Sequence, residues 1–178
     1  MRSKSGLTLV EVMVGMLLGM LVLAAIITVQ MMSARTFAVG TADAMLERTG
    51  NLVLDRIVRG PAGQYGLREA RFDTVSVSGG ATPVLSFMVD RNDPPTFDTS
   101  DDTACAVYLN PEGIIMFDPD TSVDADEIEL NKETIIGEMN LTKTNSCVEI
   151  ELILRRTVQP FDSALEVRIS TCVRPRLD

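Results

Sequence analysis

The hydrophobic rhythm of the chain changes twice. Val12 to Ala34 is an apolar run of twenty-three residues without a charge. At about 1.5 Å rise per residue, a helix of roughly 20 apolar residues crosses a hydrocarbon core about 30 Å thick, so this run predicts a membrane-spanning helix. From Arg35 the helical spacing continues but becomes amphipathic. Phe37, Ala38, Ala42, Met45, Leu46, Leu52, Val53, Ile57 and Val58 recur with Arg35, Asp43, Glu47, Arg48, Asp55, Arg56 and Arg59 between them, the pattern of a helix with one buried stripe. Gly60-Pro61-Ala62-Gly63 ends it. Unbroken from Leu7 to Arg59, the rod would be roughly 80 Å long, with Gly40 and Gly50 as its weakest points.

Beyond Ala70 the period drops to two and β-prone runs alternate with turn residues. Phe72 to Ser78 and Pro83 to Val89 flank Gly79-Gly80, the pattern of a hairpin. Ala104 to Leu109 and Gly113 to Phe117 flank Asn110-Pro111-Glu112, and Thr134 to Leu141 predicts a strand interrupted by Gly137. Cys147 to Arg155 and Leu165 to Val173 alternate most clearly, Val148, Ile150, Leu152 and Leu154 against Leu165, Val167, Ile169 and Thr171. The fold class expected is α+β: one long amino-terminal helix, then an antiparallel β-sheet head.

Glu11 stands at the entrance of the apolar run. An ionised carboxylate at the bilayer centre costs on the order of 2.5–3.5 kcal/mol or more, so this acid needs a partner. A cleaved secretory signal has an apolar stretch of about 7–15 residues closed by small residues, which does not describe this chain.

The basic leader Met1-Arg2-Ser3-Lys4-Ser5-Gly6, the run Leu7-Thr8-Leu9-Val10-Glu11 and the uninterrupted apolar helix resemble the amino terminus of type IV pilins and pseudopilins. The resemblance implies a prepilin peptidase that cuts on the cytoplasmic side between Gly6 and Leu7 and methylates the new amine. It also implies that Glu11 of one subunit neutralises the amine of a neighbour during filament assembly. Leu7 stands where Phe is more usual. Leu54 to Gly60 and Gln64 to Ala70 resemble the end of the stalk and first loop of minor, J-type pseudopilins. Thr28 occupies the place where family major pilins commonly carry Pro, which favours the minor or pseudopilin group. The organisation expected is a leader 1–6, a transmembrane or filament-core helix 7–34, a stalk 35–60 and a head 61–178.

Composition narrows the function. A chain of 178 residues with this anchor has room for one further domain. Net charge is −9, and loss of Arg2 and Lys4 with the leader makes the rest more acidic, which argues against nucleic acid as a partner. Positive charge ahead of the helix orients the chain with its carboxyl-terminal domain periplasmic. Histidine is absent, which removes His-dependent triads and imidazole catalysis. No phosphate loop, nucleophile elbow or dinucleotide fingerprint is present. An enzyme is not expected.

Three cysteines in an exported domain allow one disulfide and one free thiol, or none. A turn around Gln159-Pro160-Phe161-Asp162 brings Cys147 opposite Cys172 or its neighbour, which predicts Cys147–Cys172 with Cys105 free. Cys105 bonded to either of them, or three buried thiols, are the alternatives. Asp118, Asp120, Asp124, Asp126 and Glu127 place five carboxylates within ten residues. Hard oxygen ligands at such spacings suit calcium, which some pseudopilins carry in such a loop. No Gly occupies the sharp-turn position of an EF-hand, and a solvated acidic loop is the alternative. Asn92 to Asp98 and Asp101-Asp102 form a second polar, Pro-rich loop, read as a surface excursion.

Taken together, these readings lead to an expected structural subunit of a type IV pilus-like or type II secretion filament, a minor pilin or pseudopilin that primes assembly or caps the tip. Its partners would be prepilin peptidase, other pilin or pseudopilin subunits, an inner-membrane assembly platform and, before assembly, membrane lipid. A tip adhesin using the head loops, or a signal-anchored periplasmic enzyme, are the alternatives.

Overall fold

The computed structural model describes residues 8–61, 64–80, 82–90, 102–131, 136–159 and 163–176. The chain divides into two compact units, Met1–Thr41 and Ala42–Asp178. Helix α1 (Leu9–Arg59) contributes to both. The helix ends one residue before Gly60, as its sequence predicts.

In the first unit every described residue from Thr8 to Phe37 is exposed. Leucine, isoleucine, valine and methionine dominate this surface, among them Leu9, Met20, Leu21 and Ile26. Each such side chain gains about 1.5–3 kcal/mol when removed from water, so a helix of this composition is stable only against lipid or other apolar helices. Its length and apolar character suffice to cross a membrane.

The second unit is built from antiparallel strands. A five-stranded sheet follows the order β1 (Ser76–Ser78), β2 (Val84–Val89), β3 (Thr103–Leu109), β4 (Ile115–Asp118), β5 (Ile128–Glu129). A three-stranded sheet follows as β6 (Ile136–Lys143), β7 (Val148–Val158), β8 (Ser163–Val173). The architecture is the α+β, pilin-like one expected, a long helix followed by antiparallel sheet. Two sheets stand where one was expected. At the end of β5 the buried side chain of Asn131 caps the start of β4. Its Oδ1 accepts from Ile115 N at 2.6 Å and its Nδ2 donates to the Gly113 carbonyl at 3.1 Å, so that end of β4 is satisfied by an amide side chain.

One core joins the helix to both sheets. Leu46, Val53, Leu54 and Ile57 of α1 bury against Leu85, Phe87, Val107 and Phe117 of the first sheet and Ile150, Leu152 and Leu154 of the second. The Phe87 and Phe117 rings meet tilted, with centroids 6.4 Å apart, a favourable aromatic arrangement. Gly50, a weak point by helix propensity, has a packing reason. A Cβ there would collide with the Ile169 side chain and lie 3.1 Å from Leu154 Cδ1, so glycine lets the helix approach β7 and β8 closely.

The helix end is closed by its own return loop. Leu67 N donates to the Ile57 carbonyl at 3.0 Å and Arg68 N to that of Val58 at 2.9 Å, satisfying two carbonyls the last turn leaves open. The chain reverses through Gly60 at φ 82, a left-handed conformation glycine adopts without penalty. Lys143 ties the sheets to the segment before β1. Its Nζ donates to the carbonyls of Phe72 at 3.0 Å and Val75 at 2.5 Å, and sits 4.6 Å from the Phe72 ring centroid.

Three sequence expectations are adjusted. Phe72–Thr74 forms a 3-10 turn, not the start of a strand, because Thr74 Oγ1 bonds back to the Arg71 carbonyl at 2.8 Å. Strand β5 was not foreseen. The β7–β8 register places Glu149, not Cys147, opposite Cys172, since Val158 faces Ser163 across the turn. Gly137 does interrupt β6: the pairing slips between Ile136 and Glu138, a bulge. The polar loop Asn92 to Asp98 lies outside the described residues.

Candidate functional site

Two groups of residues carry chemistry in the sequence reading, and they lie in different units. At the start of the helix, Thr8 and Glu11 hold each other. Glu11 Oε2 accepts from Thr8 N at 2.9 Å and from Thr8 Oγ1 at 3.1 Å, while Glu11 N donates to Thr8 Oγ1 at 3.3 Å. This is a reciprocal capping box, which satisfies amides that the first turn cannot pair within the helix. The acid that needs a partner in an apolar environment thus finds one three residues back. Thr-x-x-Glu ahead of an apolar run is a sequence signal for such a cap, and the sequence reading passed over it. The predicted processing residues Gly6 and Leu7 lie outside the described residues.

Further along the same unit, Thr28 Oγ1 donates to the Ala24 carbonyl at 2.9 Å and Thr36 Oγ1 to that of Met32 at 3.0 Å. The Thr28 hydroxyl inside the apolar stretch and the Thr36 hydroxyl just beyond it are thus satisfied by their own helix, as passage through lipid favours. Gly15, Gly19 and Gly40 have nothing within 4 Å of where a Cβ would stand, leaving notches open to a neighbouring helix.

In the head, the predicted bridge is present. Cys147, just before β7, is disulfide-bonded to Cys172 on β8, with Cα atoms 6.0 Å apart, and Cys105 is buried outside any disulfide. The bridge reaches diagonally, because the register shifts Cys172 away from the position facing Cys147. Cys105 is enclosed where its Sγ meets the Pro119 carbonyl at 3.2 Å.

The acidic loop is spread over separate local contacts. Asp118 Oδ1 accepts from Asp120 N at 3.1 Å, and Asp120 Oδ1 accepts from Ser122 N at 3.0 Å and from its hydroxyl at 2.6 Å. These are Asx turns, made by residues of the loop for the loop. Glu127 accepts from the Tyr108 hydroxyl of β3 at 2.5 Å. Burial is the largest influence on Asp118 and raises its carboxyl above the usual carboxylate range; the Asp120 amide opposes this, and the charges of Asp126, Glu127 and Asp120 reinforce it. Among the described residues no group of three or more His, Cys, Asp or Glu side chains is arranged to hold a metal. Asp118, Asp120, Asp124, Asp126 and Glu127 do not converge as a calcium ligand set in this conformation.

Against known proteins, residues 1–27 match the family model of the prokaryotic N-terminal methylation motif. No curated protein and no solved structure matches the chain significantly. The motif marks a type IV pilin-like prepilin and implies processing by a prepilin peptidase and assembly with other pilins.

Proposed function

We propose that this pilin-like prepilin is a minor pilin or pseudopilin, a structural subunit that primes or caps a type IV pilus-like or type II secretion filament. The observation that carries the reading is the methylation motif at residues 1–27 running directly into a helix whose apolar surface is uncovered. Before assembly lipid covers that surface, and the basic leader keeps the amino terminus cytoplasmic while the head is periplasmic. In the filament the helices of other subunits replace lipid, with small residues permitting close approach. The work is packing, not catalysis: the chain has no histidine and none of the motifs of nucleophilic or phosphate chemistry.

Glu11 acts in this reading at two moments. In the free subunit the Thr8 amide and hydroxyl hold it. At assembly the amine of an adjoining subunit, created by cleavage between Gly6 and Leu7 and methylated on Leu7, is the stronger, charged partner. Mass spectrometry of the membrane-extracted chain, from cells with and without prepilin peptidase and with Gly6→Ala, tests the proposal. Expected is a chain beginning at N-methylated Leu7, formed only with the peptidase and an intact Gly6. A chain starting at Met1 in every strain would overturn it.

A further inference from the structure

The two sheets of the head each stop at a free edge, and the edges face each other. Strand β1 ends the five-stranded sheet and β6 ends the three-stranded one, and the two are in contact without pairing. Between them lies an open cleft of about 380 Å³, lined by Ser78, Gly79 and Gly80 at the β1–β2 turn and by Asn140, Thr142 and Glu151 across it, with Met139 and Leu141 at its apolar side.

The cleft is rich in acceptors and carries no basic side chain. Glu151 on β7 stands opposite Asn140 on β6, and accepts one hydrogen bond, from Asn140 Nδ2 to its Oε2 at 2.9 Å. Among the described residues its second oxygen, the Asn140 carbonyl oxygen and the Thr142 hydroxyl make no further bond. The edge of β6 adds backbone carbonyls that no strand takes up. Glu149, opposite Thr142, adds a second negative charge nearby. Lys143, the adjacent base, is committed to the Phe72 and Val75 carbonyls. A donor-rich planar cation satisfies such a surface, and a guanidinium does so best, since its fork matches a carboxylate with two parallel hydrogen bonds. A sugar fits less well, because the lining holds no aromatic ring for its apolar face.

We infer that the cleft between β1 and β6 is a docking site for an arginine side chain presented by an adjoining protein, with Glu151 as its anion and Asn140 and Thr142 as orienting acceptors. The choice of protein over a free small cation rests on the exposed strand edges, which can bond the peptide groups flanking the arginine. The adjoining protein would be another subunit if the filament reading holds; the arginine site itself does not depend on that reading.

The test uses the full chain in detergent micelles with 13C-methyl-labelled methionine. The probes are N-acetyl-Gly-Arg-Gly-amide, its citrulline counterpart and agmatine, each titrated against the Met139 methyl with Met116 as internal reference. Expected are saturable shifts at Met139 with the arginine peptide, none with citrulline, and affinity lowered at least tenfold by Glu151→Gln and severalfold by Thr142→Val, with Met116 unmoved in every sample. Glutamine at 151 still accepts from Asn140, so the fold is retained. Equal binding of the citrulline peptide, no saturable shift, or full affinity in Glu151→Gln would overturn the site. Tighter binding of agmatine than of the peptide would overturn the protein source of the cation. None of these outcomes touches the amino terminus, so the filament reading stands or falls separately.

Discussion

Tyr108 shows how a single contact sets a titration. The hydrogen bond from its hydroxyl to Glu127, then partial burial, then the charges of Glu127 and Asp118 push its phenol up to about 12, whereas a free phenol titrates near 10. The folded value lies above the unfolded one, so the stability this bond provides is complete below about pH 10 and disappears as the pH rises through about 12. The hydroxyl lies near the surface, so the effect on stability is small while the effect on the titration is large. The chain has 2 tyrosines, and Tyr65→Phe leaves Tyr108 as the sole reporter. Ultraviolet titration of that variant is expected to give a midpoint near the folded value, moved down by Glu127→Gln. A midpoint near 10 in both chains would dismiss the bond. None of this was legible in the sequence, where Tyr108 and Glu127 stand nineteen positions apart and only the turn at Asn110-Pro111-Glu112 and the unforeseen strand β5 bring them together.

At the level of elements, the helix-on-sheet contact is the most sensitive joint. Gly50 admits no side chain beyond hydrogen without moving Ile169 and crowding Leu154. Gly50→Val is therefore expected to destabilise the head by about 1–3 kcal/mol, the usual cost of overpacking a filled core, read as a lowered urea midpoint with unchanged slope. An unchanged midpoint would mean that the helix does not rest on β8. Helix propensity alone predicts the opposite sign, since glycine in a helix costs about 1 kcal/mol relative to alanine. That contrast marks where sequence reading stops. The strands other than β5, the long helix and its end at Gly60 followed from period and turn chemistry, because those are local. The division into two sheets, the role of Asn131 and the exact β7–β8 register did not follow, because each depends on which distant groups are left without a partner. The Cys147–Cys172 pair was legible despite the register error, since a disulfide tolerates a diagonal approach at 6.0 Å between Cα atoms.

For the whole molecule, the two units have opposite needs. Residues 8–37 have no cover of their own, while the unit Ala42–Asp178 buries a core in which Leu46, Val53, Leu54 and Ile57 come from the helix. Removal of residues 1–34 is therefore expected to give a soluble, cooperatively unfolding head, whereas a cut after Arg59 is expected to leave a head that aggregates for want of one wall of its core. Light scattering and urea unfolding of the two truncations check this; a soluble, cooperative product from the second would show that the strands suffice. The pilin-like class was legible from the leader and the apolar run that follows it, which the methylation motif matches over residues 1–27, because such signals are written in linear sequence. The surface that selects a neighbour was not, since strands distant in sequence compose it.

The capping box has one more implication, about timing. It is made by Thr8 and Glu11 with each other, and both residues stay in the chain after a cut between Gly6 and Leu7. Trimming the chain between Gly6 and Leu7 would strip two basic charges and expose an amine while leaving the first helical turn already wound. Maturation would then change the charge at the tip of the helix while keeping both members of its cap.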